Sequence, residues 1–266
     1  MLYIVATPIG NLKDVTYRAI EVLQNCDYIA CEDTRTSLTF LQNYGIDKKL
    51  VSYHKFNESS RCSAIAEDVR SGKDVAIISD AGMPGISDPG NVVVKYFIEN
   101  NLPYTVIPGP SALINAFVLS GMDAPFTFVG FLPDKKKDAN IILNNIKDIP
   151  YTTIFYVSPH SIQDFFDVVY KAFGDRRVCV VRELTKKFEE VSFTSLHDGY
   201  NGVVKGEFVV VVEGKKESLA VDEDVITEEI QSMLKQNSST KDIAVLICDK
   251  YNLKKNYVYD LIKKQS

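Results

Sequence analysis

A chain of 266 residues is long enough for two compact domains, and its 45 % hydrophobic and 24 % charged residues are those of an ordinary globular protein. A net charge of −5 argues against a general nucleic-acid binder, and no apolar run approaches the ~20 residues of a membrane span. Five cysteines without a CxxC pair and three widely spaced histidines point away from a zinc site or a histidine triad, and toward reduced, buried thiols in a cytoplasmic protein.

The opening "MLYIVATPIG" reads as a buried first strand (2–6), not a signal peptide, because it has no basic start and no cleavage site. "VTYRAIEVLQN" puts Val15, Ala19, Val22 and Leu23 on one helical face. A strand over 28–32 and a helix from Thr34 to Tyr44 follow, and Gly45 ends the helix. "KLVSY" suits a short strand, and Asn57 or Ser59 suits the cap of a helix running to Ser71. "DVAIIS" (74–79) is an apolar strand, and Pro89 fits the first turn of a helix reaching Asn100. "YTVIP" (104–108) and the helix of "GPSALINAFVLSG" complete the first half. Apolar strands alternating with helices predict a parallel sheet covered on both faces, with ligands beyond the carboxyl ends of its strands.

The pattern pauses at Gly121–Pro125, which places a domain boundary there. Strands over 152–157, 177–184, 188–193 and 206–214, with a helix from about Ser161 to Phe173, predict a mixed sheet. The tail from Asp222 to Ser266 reads as helical, its end as two short helices joined near Asn252. The division is therefore 1–121, an α/β domain; 122–215, a second α/β domain; and 216–266, a helical region.

The segment "SDAGMPGISDPG" (79–90) is too stiff and too acidic for a plain connection. Its glycines let a ligand approach the main chain and its prolines hold the shape in advance; a tight crossover is the plainer reading. Asp80 and Asp88 would accept hydrogen bonds from amino or hydroxyl groups, and an acidic cradle without a P-loop lysine does not suit phosphate. "ATPIGN" (6–11) lacks the dinucleotide fingerprint, and "IPGPSA" (107–112) offers a helix N-terminus to a carboxylate. S-adenosylmethionine carries the matching groups: ribose hydroxyls, an amine, a sulfonium and a carboxylate.

"TPIGNL" (7–12), "CEDTR" (31–35), "SDAGMPGISDPG" (79–90), "PGPSA" (108–112), "GFLP" (130–133), "RELTK" (182–186) and "GEFVVVVEG" (206–214) occur in order. Together they resemble the tetrapyrrole-methylase superfamily, and within it the branch of the small-subunit ribosomal RNA methyltransferases I. The resemblance implies two α/β domains enclosing S-adenosylmethionine, a homodimer, and 2′-O-methylation of a cytidine in 16S rRNA of the small ribosomal subunit. It puts cofactor contacts on Pro8, Asp80, Gly82, Met83, Ser87, Asp88 and Ser111, and in the second domain on Tyr156, Leu184 and the strand ending at Glu213. The chain departs from the pattern at Ala6 and Met83, and at Val157 and Ser161, where the family commonly has Glu and Arg. The alternatives are a methylase of a small tetrapyrrole-like precursor and a non-catalytic rRNA-binding assembly factor.

A ribose hydroxyl needs a base or a pKa-lowering cation to attack a methyl group. "CEDTR" offers Glu32 or Asp33 as base or orienting acceptor and Arg35 as a phosphate anchor; Asp33 as a helix cap is the structural alternative. Glu183 with Lys186 is a second pair and His160 a third candidate. Lys135, Lys136 and Lys137, in a polar loop, and Lys186 would bind RNA phosphates.

Overall fold

The computed structural model describes residues 1–215, 223–236, 238–251, 253 and 255–265. Residues 1–215 form one compact unit and 216–266 a second.

In the first unit, strand and helix alternate as β1 (Leu2–Val5), α1 (Tyr17–Asn25), β2 (Tyr28–Cys31), α2 (Thr34–Gln42), β3 (Lys49–Ser52), α3 (Glu58–Arg70), β4 (Val75–Ile78), α4 (Asn91–Glu99), β5 (Tyr104–Ile107) and α5 (Ala112–Ser120). The five strands make a wholly parallel sheet in the order β3-β2-β4-β1-β5. Alternate residues of each strand serve opposite faces. Ala30 and Ile77 pack with Ile65 of α3 and Phe97 of α4, whereas Ile29 and Ile78 pack with Leu23 of α1 and Leu41 of α2. This two-sided cover is why β2 and β4 are buried along their whole length.

The second half adds β6 (Phe126–Phe131), α6 (Lys136–Ile146), β7 (Thr152–Val157), α7 (Ile162–Phe173), β8 (Arg177–Arg182), β9 (Glu190–Ser195) and β10 (Phe208–Val212). These strands form a mixed sheet, β6-β7-β10-β8-β9, in which only β6 and β7 run parallel. Helix α5 joins the two halves: Leu113 and Ala116 pack with Ile154, Cys179, Val181 and Val211 of the mixed sheet.

Several local expectations shift. Pro89 does not open α4, which starts at Asn91 after Gly90, because the preceding segment has a fold of its own. Asn57 stands at the cap position of α3 but its side chain turns back to accept from the His54 N–H. The strand expected over 177–184 stops at Arg182, since Glu183 and Thr185 take left-handed backbone conformations with φ of 51° and 66°. Strand β6 and helix α6 were not foreseen. Lys135–Lys137 therefore lie at the cap and first turn of α6, exposed, not in a loop. The five cysteines are free and buried, and burial pushes the Cys26 and Cys179 thiols up to about 11.

The second unit holds α8 (Glu223–Lys235), α9 (Thr240–Tyr251) and α10 (Lys255–Gln265). Ile226, Ile230, Ile247, Val258 and Leu261 form its own core. The turn expected near Asn252 lies outside the described residues. Among the described residues no helix is long and apolar enough to cross a membrane.

Candidate active site

Three turns meet beyond the carboxyl ends of β1, β4 and β5. Thr7 and Gly82 exchange N–H···O bonds of 2.9 and 3.1 Å, which stitches the turn after β1 to the segment after β4. Gly82 has φ +80°, and a Cβ there would lie 3.3 Å from Ile9 and 3.9 Å from the Pro110 carbonyl oxygen, so all three turns touch at this residue. The segment then closes on itself: Asn91 Nδ2 donates to the Gly85 carbonyl at 2.6 Å. Gly90 passes so close, with φ +146°, that a Cβ would sit 3.0 Å from the Gly85 nitrogen.

Between this rim and the mixed sheet lies a cavity of about 390 Å³, within the ordinary range for small-molecule sites of about 300–1,000 Å³. Asp80, Gly82, Met83, Ser87, Asp88 and Ser111 line it from the rim, and Tyr156 and Leu184 from the mixed sheet. Glu32 also lines it, at the end of β2. Its walls combine apolar side chains with acids, and among the described residues no lysine or arginine lines it. Burial raises the Asp88 acid above its usual range, and Asp80 and Glu207 add to the shift. Burial likewise raises Glu32, with Asp88 and Asp80 adding and His54 opposing. Carboxylates so confined attract a cationic group to relieve their mutual repulsion. The α5 N-terminus, where Ser111 makes no side-chain cap bond, leaves main-chain donors toward an anion.

Other expected residues lie elsewhere. Pro8 is buried and Ile9 takes its place at the wall. Asp33 caps α2: its carboxylate accepts from the Arg35 N–H at 2.8 Å and pairs with the Arg35 guanidinium at 2.8 Å. The Arg35 side-chain bonds, then its N–H, hold the Asp33 acid down to about 2. Asp33 thus stands off the wall, though its N–H donates to Asp80 at 3.2 Å. Arg35 extends outward with 90 % of its side chain exposed.

Lys186 Nζ is held between Glu183 and Glu207, 2.9 Å from each, and so is already committed to two carboxylates. Glu183 also accepts from the Glu207 N–H at 3.0 Å, which secures the left-handed turn at Glu183–Thr185. The strand expected to end at Glu213 is β10, which meets the cavity at its start, through Phe208 and Val209; Glu213 itself follows its opposite end. His160 is exposed and does not line the wall. Lys135–Lys137 do not line it either.

Glu207 and Phe131 were missed. Phe131 ends β6, whose parallel pairing with β7 would have marked it had that strand been recognised. Glu207 precedes an all-apolar strand, and its sequence carried no signal of the Lys186 contact. Val157 is buried at the wall, and Ser161 Oγ sits 2.7 Å from Ser158 Oγ.

Residues 1–198 match the family model of tetrapyrrole (corrin/porphyrin) methylases. Ribosomal RNA small subunit methyltransferase I of Halalkalibacterium halodurans is 42 % identical over 227 residues, covering 84 % of this chain and 78 % of that protein. The chain belongs to this family of methyltransferases. Its Bacillus subtilis relative of the same name is 36 % identical over 98 % of this chain and 93 % of its own. Uroporphyrin-III C-methyltransferase from Thermus thermophilus, solved with S-adenyl homocysteine, shares the family fold at a TM-score of 0.56 and 16 % identity, over 80 % of this chain and 97 % of that one.

Proposed function

We propose that this protein transfers a methyl group from S-adenosylmethionine to the 2′-hydroxyl of a cytidine ribose in 16S rRNA of the small ribosomal subunit. Membership of the family makes it an S-adenosylmethionine-dependent rRNA methyltransferase; the ribose position and the nucleotide are the finer part of the proposal. The observation that carries it is the single cavity shared by the three turns, the mixed sheet and Glu32.

The residues present fit the donor. Asp80 and Asp88 would hold its amine and ribose hydroxyls, the α5 N-terminus at Ser111 its carboxylate, and Met83, Tyr156 and Leu184 its apolar surface, against the main chain at Gly82. Pro8 would act from behind, by stiffening the turn. When bound, the donor supplies an electrophilic methyl group on sulfur. The acceptor oxygen must approach that methyl in line, and Glu32 stands at the wall to take its proton. The raised pKa makes Glu32 a stronger base than an ordinary carboxylate. Asp33, locked to Arg35, orients the turn, and Arg35 faces outward for an RNA phosphate. Lys135, Lys136 and Lys137 add positive charge for the same backbone, whereas Lys186 organises Glu207. A homodimer, a cytoplasmic location and the division 1–121, 122–215 and 216–266 belong to the same proposal.

Incubation with labelled donor and naked rRNA, 30S or 70S particles, followed by mapping of 2′-O-methylation, tests it. One methylated cytidine ribose in the small-subunit RNA is expected. Transfer to a base, or to a tetrapyrrole alone, would overturn it.

A further inference from the structure

β2 and β3 are parallel neighbours with Cys31 opposite Ser52, and the Tyr53 N–H donates to the Cys31 carbonyl at 2.8 Å. The segments that follow them therefore leave the sheet side by side. From β2 come Glu32, at the cavity wall, and Arg35. From β3 comes the turn His54-Lys55-Phe56, which Asn57 pins: its Oδ1 accepts from the His54 N–H at 2.9 Å, and its Nδ2 donates to the Ser52 carbonyl at 3.2 Å. One contact ties this turn to the segment that forms the rim: Glu58, just beyond it, accepts from the Gly90 N–H at 3.4 Å.

Phe56 is 94 % exposed, the most exposed large apolar side chain among the described residues. Yet its ring rests edge-on against His54, centroids 6.1 Å apart. An aromatic ring with its surface open is what a stacking nucleobase needs. His54 Nδ1 is buried without a hydrogen-bond partner among the described residues, so the turn keeps an unused polar atom. Charge argues the same way. Phosphates are repelled by Glu32, Asp80 and Asp88, so an RNA acceptor must offer only its ribose to the cavity and lay its backbone on cations at the rim. Arg35 and Lys55 are both exposed there.

We infer that the turn His54–Phe56, with Arg35 beside it, is the platform on which a single-stranded stretch of the acceptor RNA docks. Phe56 stacks on a base next to the nucleotide whose ribose enters the cavity, while Arg35 and Lys55 contact its phosphates. This rests on the proposed function for the acceptor being RNA.

The test compares Phe56→Ala, Phe56→Leu and Phe56→Tyr in the full chain. Three readouts apply: binding of small subunits from cells lacking the methylation, donor affinity by calorimetry, and oligomeric state by size exclusion. Alanine and leucine should each weaken subunit binding about 5- to 100-fold with donor affinity kept, and tyrosine should restore it. Wild-type binding by the leucine variant would overturn stacking. A changed oligomeric state with unchanged RNA binding would make the turn a protein contact and overturn the platform. If the wild-type chain methylates no rRNA, the proposed function fails by itself. The platform is then judged on binding alone, and equal affinities of wild type and Phe56→Ala for the subunit would end it.

Discussion

Glu32 and Asp33 are adjacent carboxylates with opposite surroundings. One is confined near other acids, and the other is paired with a guanidinium. Glu32→Gln should therefore lower kcat about 10²- to 10⁴-fold, with the loss on the chemical step rather than on donor affinity. An equal loss in Asp33→Asn would refute that assignment. Asp88→Ala should weaken donor binding about 10-fold or more by calorimetry, whereas Lys136→Glu should spare donor binding and impair rRNA methylation; equal effects of both changes would remove the separation. The raised acids also predict a pH dependence. In the folded chain Glu32 and Asp88 keep their protons to higher pH than when unfolded, so their ionised forms oppose folding near neutrality, and this cost fades as pH falls through the folded values. Donor binding has the opposite sense, because a cation prefers ionised carboxylates. Affinity should rise with pH through the raised values and level off above them, with a proton released on binding. Calorimetry in buffers of different ionisation enthalpy reads that proton, and affinity that stays constant as pH rises from the ordinary carboxylate range to neutrality would exclude the linkage.

At the scale of elements, the segment after β4 is held by backbone geometry rather than by a regular element. Gly90→Ala brings a Cβ within 3.0 Å of the Gly85 nitrogen at φ +146°, so the loop must move. A cost of about 1–3 kcal/mol is expected together with weaker donor binding; unchanged binding would mean the loop's shape is irrelevant to the cavity. Arg176, just ahead of β8, is a different kind of anchor. Its buried guanidinium donates to the carbonyls of Lys147 and Glu213 and lies 4.4 Å from the Phe173 ring centroid. Arg176→Met would keep much of the packing and leave two carbonyls without their donor. Urea unfolding should show a loss of about 2–4 kcal/mol with donor affinity intact. A loss below about 0.5 kcal/mol would mean water replaces the guanidinium.

For the whole molecule, the cavity-lining residues among the described ones fall between Ile9 and Val209, and residues 216–266 hold a core of their own. A chain ending at Lys215 should melt cooperatively and bind the donor within about two-fold of the full chain. Failure of the shortened chain to fold would refute that independence. With folding preserved, its methylation of small subunits tells whether the helical unit contributes to RNA recognition.

The order of strands and helices in the first half was legible because apolar period and turn residues are local properties. So was the gathering of three stiff turns at one edge, which follows from any parallel sheet whose crossovers return each strand in the same direction. β6 escaped although its residues are apolar and aromatic: Gly130 interrupts the run, at the point where the register with β7 shifts. Side-chain partnership was legible only where it is local, as for Asp33 at the cap of α2 and Lys186 beside Glu183. That Glu32 faces the cavity and that Lys186 is also held by Glu207 depend on how segments far apart in sequence come together. Sequence by itself determined the scaffold and the acidic character of the rim. Only the tertiary structure decided which acids share a wall, because whether a side chain meets a cavity, an ion partner or water is set by neighbours that folding supplies.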